Sequence, residues 1–430
     1  MKIETLIATF LITISGCDLF WPDEELQLRV EDVSCTEVWL RVKGAQDSEM
    51  TLFRDDKEVK TFNFNRDTTI IDAGLKPSTT YEYQVSGDRY AESSNRVTAT
   101  TMDTTSHEMT WQTFTFGDFS SALYDVAIID ENNIWAVGEI YLNDSTGQPD
   151  PKIYNAVHWE DNKWEILQIP TEAFGGWVGF YRINTILVFS NYDIWTFSIA
   201  ISYSYWNGQV WTTHFVPEHS GGGESYWGIN SSNFYLSGTN GSISHYNGKN
   251  WQKLESGTET NLLDVYGEGN NIFLSGWADF EPTVLLKIEN GNVVGIIDEF
   301  PSAYDSCKIS GAIKSVWVKR TQLFALTWYD LYRSPVSAAG KNAKALWKGD
   351  PYTWGSNKVR GIDVNDIFVV GFNGTVWHFN GLSWKRYDEL LNPTDELLSV
   401  AINGNTVAIS GYRYLNGIDN YGLIIVGKKY

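Results

Sequence analysis

Cysteine is scarce: three in 430 residues, Cys17, Cys35 and Cys307, so the chain is not a small disulfide-stapled scaffold. Methionine (4) and proline (11) are few, and the six histidines are too scattered to form a zinc-type ligand pattern. Basic charge is also short, 32 Lys and Arg against 53 Asp and Glu, for a formal net charge of −21. A nucleic-acid surface must cluster Lys and Arg to displace counterions from phosphates; this chain has no such cluster, which excludes nucleic acid as a partner. Past the N-terminal region no apolar run approaches the roughly 20 residues of a spanning helix. Gly-rich phosphate loops, nucleophile elbows and EF-hand loops are missing as well. What the chain has is aromatic residues at 15%, 19 of them Trp, and 37 Gly. That mixture suits many short strands joined by tight turns and points to an all-β protein.

The N-terminus runs from Met1 and Lys2 through an apolar stretch, Leu6 to Ile14, to Ser15, Gly16 and Cys17. That is too short to span a bilayer and has the build of a secretory signal. The segment ISGC resembles the bacterial lipobox. The resemblance implies a signal peptide over 1–17, acylation of Cys17, and attachment to the membrane through the lipid anchor only, at about 0.8 kcal/mol per buried methylene. Asp18 resembles an inner-membrane retention signal, whereas Asp23, Glu24 and Glu25 resemble export signals; the expected location is the outer membrane or cell surface.

After a linker at 18–23, residues 24–103 hold seven short runs that alternate apolar and polar residues, as a small sandwich requires. Within them, Leu75, Pro77 and Tyr81 in LKPSTTYEYQV resemble the fibronectin type III signature, with Tyr81 as the tyrosine corner. The family's core Trp is replaced by Val42, and Trp39 has the opposite strand parity. Such domains commonly serve as spacers. Residues 104–108 form a second linker.

From 109 to 430 the chain repeats itself. The clearest copies end at Trp251 and Trp384, and looser ones occupy 123–138, 186–198, 262–276, 313–327 and 397–411, making seven. The fourth strand of a copy opens on Trp164, Trp211, Trp251, Trp347 or Trp384, with Val294 in the fourth copy. The seventh copy lacks this strand, while a spare one, TWQTF, stands at 110–114. A ring of four-stranded blades would therefore close by mixed strands, with Trp111 beside Leu423 to Val426. The blade pattern, D-[IV]-[FWY]-x-V-G followed by G-T-[IV] and H-[YF]-[ND]-G-x-x-W, resembles sialidase-like and photosystem-assembly-factor-like propellers of the BNR and WD40 kind. It implies a seven-bladed β-propeller over 109–430 and specifies architecture only.

His158, His245 and His378 each stand six residues before a blade Trp, with Tyr205 in the same slot, so they recur once per blade and have a structural role. No metal or cofactor is expected. His107, His214 and His219 read as linker or loop residues. Asn207-Gly208, Asn247-Gly248 and Asn380-Gly381 read as hairpin turns, not as the Asp boxes (S-x-D-x-G-x-x-W) of related propellers. Cys35 and Cys307 read as free, buried thiols.

Long connections at 139–151, 171–181, 217–226, 276–283, 298–306, 348–356 and 411–420 all open onto one face, where repeat proteins bind. That face gathers Trp177, Tyr181, Trp277, Phe280, Tyr304, Tyr352, Trp354, Tyr412 and Tyr414. Aromatic rings beside acids and amides suit sugar faces or a protein hot spot. The expected function is a monomeric, noncatalytic surface protein that binds a glycan or an envelope protein. The alternatives are a polysaccharide hydrolase or lyase using Asp279, Glu281, Asp298, Glu299 or Asp305, and a scaffold within an envelope complex. No catalytic residue is assigned.

Overall fold

The computed structural model describes residues 25–44, 48–87, 93–173, 175–198, 201–216, 222–279, 282–299, 309, 311–328, 330–339, 344–345, 355–415 and 419–430. Their regular structure is strand throughout, apart from single 3₁₀ turns at Val336–Ala338 and Asp388–Leu390. They divide into two compact units, one formed by most of the chain up to Thr100 and one running from Thr101 to Tyr430 with two short earlier segments, Ser34–Thr36 and Leu75–Ser78.

In the first unit, Gln27–Val33, Glu37–Lys43 and Asp67–Ala73 form a three-stranded sheet, and Lys57–Phe64, Ser48–Arg54, Thr80–Gly87 and Val97–Thr100 a four-stranded one. Alternation decides the core: Val38, Leu40 and Val42 are buried on one face with Met50, Leu52, Ile70 and Val85. Trp39, on the other parity, is also buried, and its indole N–H donates to Glu37 Oε2 at 3.2 Å. Tyr81 is half-buried with the Arg54 guanidinium 5.4 Å from its ring centre. The fully buried tyrosine is Tyr83, whose hydroxyl donates to Asp72 Oδ2 at 2.9 Å; the same carboxylate takes Arg54 Nη1 at 2.8 Å.

The second unit contains seven four-stranded antiparallel sheets. Their first strands are Phe119–Asp130, Ile183–Ser190, Gly223–Asn230, Leu262–Glu268, Ile313–Lys319, Ser356–Asp363 and Asp395–Asn403. In six sheets the four strands follow in chain order; in the seventh, the fourth strand is Met109–Phe116, from the start of the unit. It runs antiparallel to Asp419–Lys429, with Trp111 opposite Gly427 and Thr115 opposite Leu423. Each first strand packs against the next in cyclic order, and Asp395–Asn403 returns to Phe119–Asp130. The apolar core lies between sheets. Across the seam, Leu123, Val126 and Ile134 meet Ala408 and Ile424, each large aliphatic contributing about 1.5–3 kcal/mol on burial.

The recurring histidines are part of this framework. His158 stacks on Trp135 (3.9 Å), His245 on Tyr235 (4.3 Å) and His378 on Phe368 (4.4 Å). Each hydrogen-bonds the residue that opens the second strand or lies next to it: Asn133, Asn233 and Asp366. His107 does lie in a connecting segment, packed there with its Nδ1 2.9 Å from Nδ1 of His378 and its Nε2 3.1 Å from Ser383 Oγ, whereas His214, expected in a linker or loop, lies in strand Trp211–Phe215. In the Asn-Gly turns only glycine takes the left-handed conformation, at φ 90, 85 and 92° for Gly208, Gly248 and Gly381. The asparagine instead opens the turn and its side chain accepts two backbone N–H groups, as Asn207 does from Gln209 and Val210. Cys35 is free and buried, which pushes its thiol up to about 11; Cys307 lies outside the described residues.

One irregularity repeats around the ring. In every sheet the pairing of the first strand with the second slips by one residue near the start of the first strand. The extra residues are Tyr124, Asn184, Glu224, Leu263, Lys314, Asn357 and Leu398. A β-bulge bends its strand and re-aims the unpaired side chain. Here it does so seven times, at equivalent positions.

Candidate functional site

The first strands of all seven sheets enclose a cavity of about 560 Å³ whose wall includes all seven bulged residues. In the second, third, fifth and sixth sheets the bulge lies in or close behind one of the long connections. One residue deeper, Asp125, Thr185, Ser225, Asp264, Ser315, Lys358 and Ser399 form a second tier that ties sheet to sheet. Ser399 Oγ donates to Asp125 Oδ1 at 2.6 Å, and Asp125 Oδ2 accepts the Ile186 N–H at 3.0 Å. Asp264 accepts from Ser225 Oγ (3.1 Å), Ser315 Oγ (2.6 Å), the Val316 N–H (3.0 Å), Lys358 Nζ (2.8 Å) and Arg360 Nη2 (2.8 Å). Burial alone would raise the Asp264 carboxyl; the two cations outweigh it and hold the group well below the usual carboxylate range. Asp125 is raised by burial. This tier is the frame on which the mouth is built.

A second recurring position is the residue that follows the second strand's buried stretch. In four consecutive sheets this residue is aromatic: Trp277, Trp328, Phe372 and Tyr412. Three are pinned by the same backbone bond to the approach of the first strand: Trp277 N–H to Asn261 O (3.2 Å), Trp328 N–H to Ala312 O (3.2 Å) and Phe372 N–H to Gly355 O (2.9 Å). Ring centres lie 6.3 Å apart for Trp277 and Trp328 and 6.0 Å for Trp328 and Phe372, forming a continuous arc. In the seventh sheet, whose Glu396 bridges to Phe372, Tyr412 stands 5.0 Å from the perpendicular ring of Tyr414 and gives its hydroxyl hydrogen to Glu396. Lys314 lies under the arc, its Nζ 4.0 Å from the ring centre of Trp328 and 5.6 Å from that of Phe372, and it donates to Asn357 Oδ1 at 3.0 Å. Burial pushes its ammonium down to about 8.

The other side of the mouth is polar. Tyr124 donates to Glu139 Oε1 (2.8 Å) and Tyr141 to Oε2 (3.2 Å). Arg182 donates from Nε to Asn184 Oδ1 at 2.9 Å, with its guanidinium 4.5 Å from the centre of the Tyr124 ring. Glu224 is raised by burial. Glu139 is held by the two phenols and Arg182 by an amide and a ring, and Glu224 feels the Arg182 charge.

Of the aromatic candidates, Trp277 belongs to this arc, and Tyr412 and Tyr414 to the seventh sheet that bridges to it. Trp177 and Tyr181 belong to neither: they lie in, or follow, a small inserted hairpin, Thr171–Ala173 with Trp177–Gly179, which packs on the outer two strands of the second sheet. Trp177 is nevertheless 75% exposed. Phe280, Tyr304, Tyr352 and Trp354, like Cys17, lie outside the described residues. Among the acidic candidates, Asp279, Asp298 and Glu299 are exposed; Glu281 and Asp305 lie outside the description. Sequence reasoning missed Trp328, Phe372, Lys314, Tyr124 and Arg182. The first two carry a readable signal, because each directly follows the small residue ending its second strand (LTW, VGF), as in SGW and SGY.

No protein-family model and no curated protein matches the chain. Solved structures do. YCF48 bound to D1 peptide is 13% identical, with a TM-score of 0.54 over 74% of this chain and 97% of that one. The WD40 propeller domain of Doa1 is 12% identical, with a TM-score of 0.50 over 75% and 98%. U3-55K is 9% identical, with a TM-score of 0.50 over 73% and 98%. At such identities the likeness concerns the fold, and the fold is a β-propeller.

Proposed function

We propose that the protein is a noncatalytic binding protein, anchored to the outer membrane or cell surface through Cys17, that recognises a glycan on the loop-rich face of its propeller. The observation that carries this reading is the row of rings Trp277, Trp328 and Phe372, joined through Lys314 to a cavity wall furnished with carboxylates, amides and phenols. Sugar rings present apolar C–H faces to aromatic side chains and hydroxyl groups to carboxylates and amides, and both kinds of partner are side by side here. The first unit, read as a fibronectin type III-like spacer, would hold the propeller away from the bilayer.

A glycan array with a soluble 18–430 fragment, read alongside reducing-sugar release, tests the reading. Binding without release is expected, and Trp328→Ala should abolish it. Release of reducing ends would select the hydrolase alternative. A peptide panel belongs in the same experiment, because YCF48 has been solved with a bound peptide; peptide binding without glycan binding would select a protein partner. Cys17→Ser should move the full-length protein from the membrane to the soluble fraction. Continued membrane association of that variant, with no lipid on the native chain by mass spectrometry, would overturn the anchor.

A further inference from the structure

We propose that the glycan is acidic, and that Lys314 receives the carboxylate of a hexuronate residue whose ring lies against Trp328 and Phe372. This deepens the glycan reading and rests on it.

The first ground is the state of the cation. An ammonium has three donors; among the described residues Lys314 uses one, on a neutral amide, and no carboxylate lies within ion-pair reach. Of the other cations of this cavity, Lys358 and Arg360 are both paired with Asp264, while Arg182, on the opposite wall, is held by Asn184 and Tyr124. The nearest acid to influence Lys314, Glu396, is engaged by Tyr412. Lys314 is thus a half-buried cation held by two aromatic rings and one amide, with no carboxylate to neutralise it among the described residues.

The second ground is placement. Lys314 is the bulged residue of its strand, so its side chain is re-aimed into the mouth, and the two aromatic rings flank it. Rings that exclude water strengthen the pull between an ammonium and an entering carboxylate. In a hexuronate the carboxylate is bonded directly to the sugar ring, so a pyranose against Trp328 or Phe372 carries its anion within reach of Lys314. Asn357, Glu396 and the Tyr412–Tyr414 pair remain nearby for hydroxyl groups. The bulged residues of the neighbouring fourth and sixth sheets, Leu263 and Asn357, are uncharged, so Lys314 alone sets the sign of the bulge tier on this side.

The test uses oligogalacturonate and its fully methyl-esterified form, two ligands with the same backbone that differ only in the anion, measured by calorimetry on the 18–430 fragment. The native protein should bind the acid at least about tenfold more tightly than the ester. Lys314→Met should remove that preference and leave ester binding in place; Lys314→Arg should keep the preference; Trp328→Ala should weaken both ligands. Thermal melts of each variant report folding separately. Equal affinity for acid and ester, or a preference that survives in a folded Lys314→Met, overturns the proposal while leaving the glycan reading intact. Binding of neither ligand, with neutral glycans bound on the array, also overturns it. Binding only of peptides with a free terminal carboxylate, lost in Lys314→Met, overturns both.

Discussion

Trp111 lies across Gly427: a Cβ placed on that glycine would come 2.4 Å from Trp111 Cζ3 and 2.7 Å from Met109 Cε. The two residues stand at opposite ends of the propeller sequence and face each other in the strand pair that closes the ring. Gly427→Val should therefore push Met109–Phe116 off the seventh blade. Loss of that strand exposes a row of unpaired backbone groups, a template for edge-to-edge association. Deleting 104–115 should cause aggregation by light scattering, whereas deleting 24–103 should leave a soluble propeller; a monomeric 104–115 deletion would refute the closure.

The Asp264 cluster should be the most sensitive polar point of the ring. Asp264→Asn leaves Lys358 and Arg360 buried without their counter-charge, and breaking a buried pair in this way costs about 3–5 kcal/mol. The carboxyl is held below its unfolded value, so the stability it contributes is complete above about pH 4 and is lost as pH falls below that. Chemical denaturation across pH should show a lower plateau in the variant and a flatter acid limb. An unchanged midpoint at pH 7 would show that the cluster is not stabilising.

The His107–His378 pair should weaken the propeller in mild acid. Burial lowers His107 to about 4 and lowers His378 despite Asp366, while Lys385 and Lys429 also disfavour a charged imidazole here; Glu108 and Asp366 act the other way. Both rings are neutral in the folded protein, so the unfolded chain takes up protons first, and stability falls as pH drops from about 6.5 toward about 4. Replacing His107 with Gln should flatten this part of the profile, measured by the melting temperature against pH.

Tyr83→Phe should cost about 1–3 kcal/mol, because it removes one of the donors to the buried Asp72. The early melting transition, from the first unit, should move and that of the propeller should not. A single shifted transition would mean that the two units unfold together.

Binding of the acidic ligand should fade as pH rises through about 8, where Lys314 gives up its proton. The acid that acts on this ammonium is Glu396, and its hydrogen-bond partner is the Asn357 amide. A titration of ester binding should stay flat over the same range.

The repeats and their closure were legible because a spare strand with its own Trp111 announces itself against seven copies of which only six carry a fourth strand. The arc was half legible. Trp277 and Tyr412 fall in segments that read as long connections, although Tyr412 lies within strand Thr406–Leu415, while Trp328 and Phe372 read as the ends of apolar strands. Trp177 looked like their equal, since a loop sequence does not say whether it returns toward the axis or lies over the outer strands. Lys314 carried no signal at all: its surroundings come from three successive blades, and a bulge is a one-residue slip in pairing that composition does not encode.

That slip has an evolutionary reading. Each bulged side chain is out of the backbone ladder, so its replacement leaves the strand pairing untouched, and apart from Asn184 and Asn357, which reach the backbone of the next blade, the tier below keeps the blades in place. The mouth is thus a seven-letter word, currently Tyr, Asn, Glu, Leu, Lys, Asn and Leu, that can be respelled one letter at a time for a new ligand while the scaffold underneath is inherited unchanged.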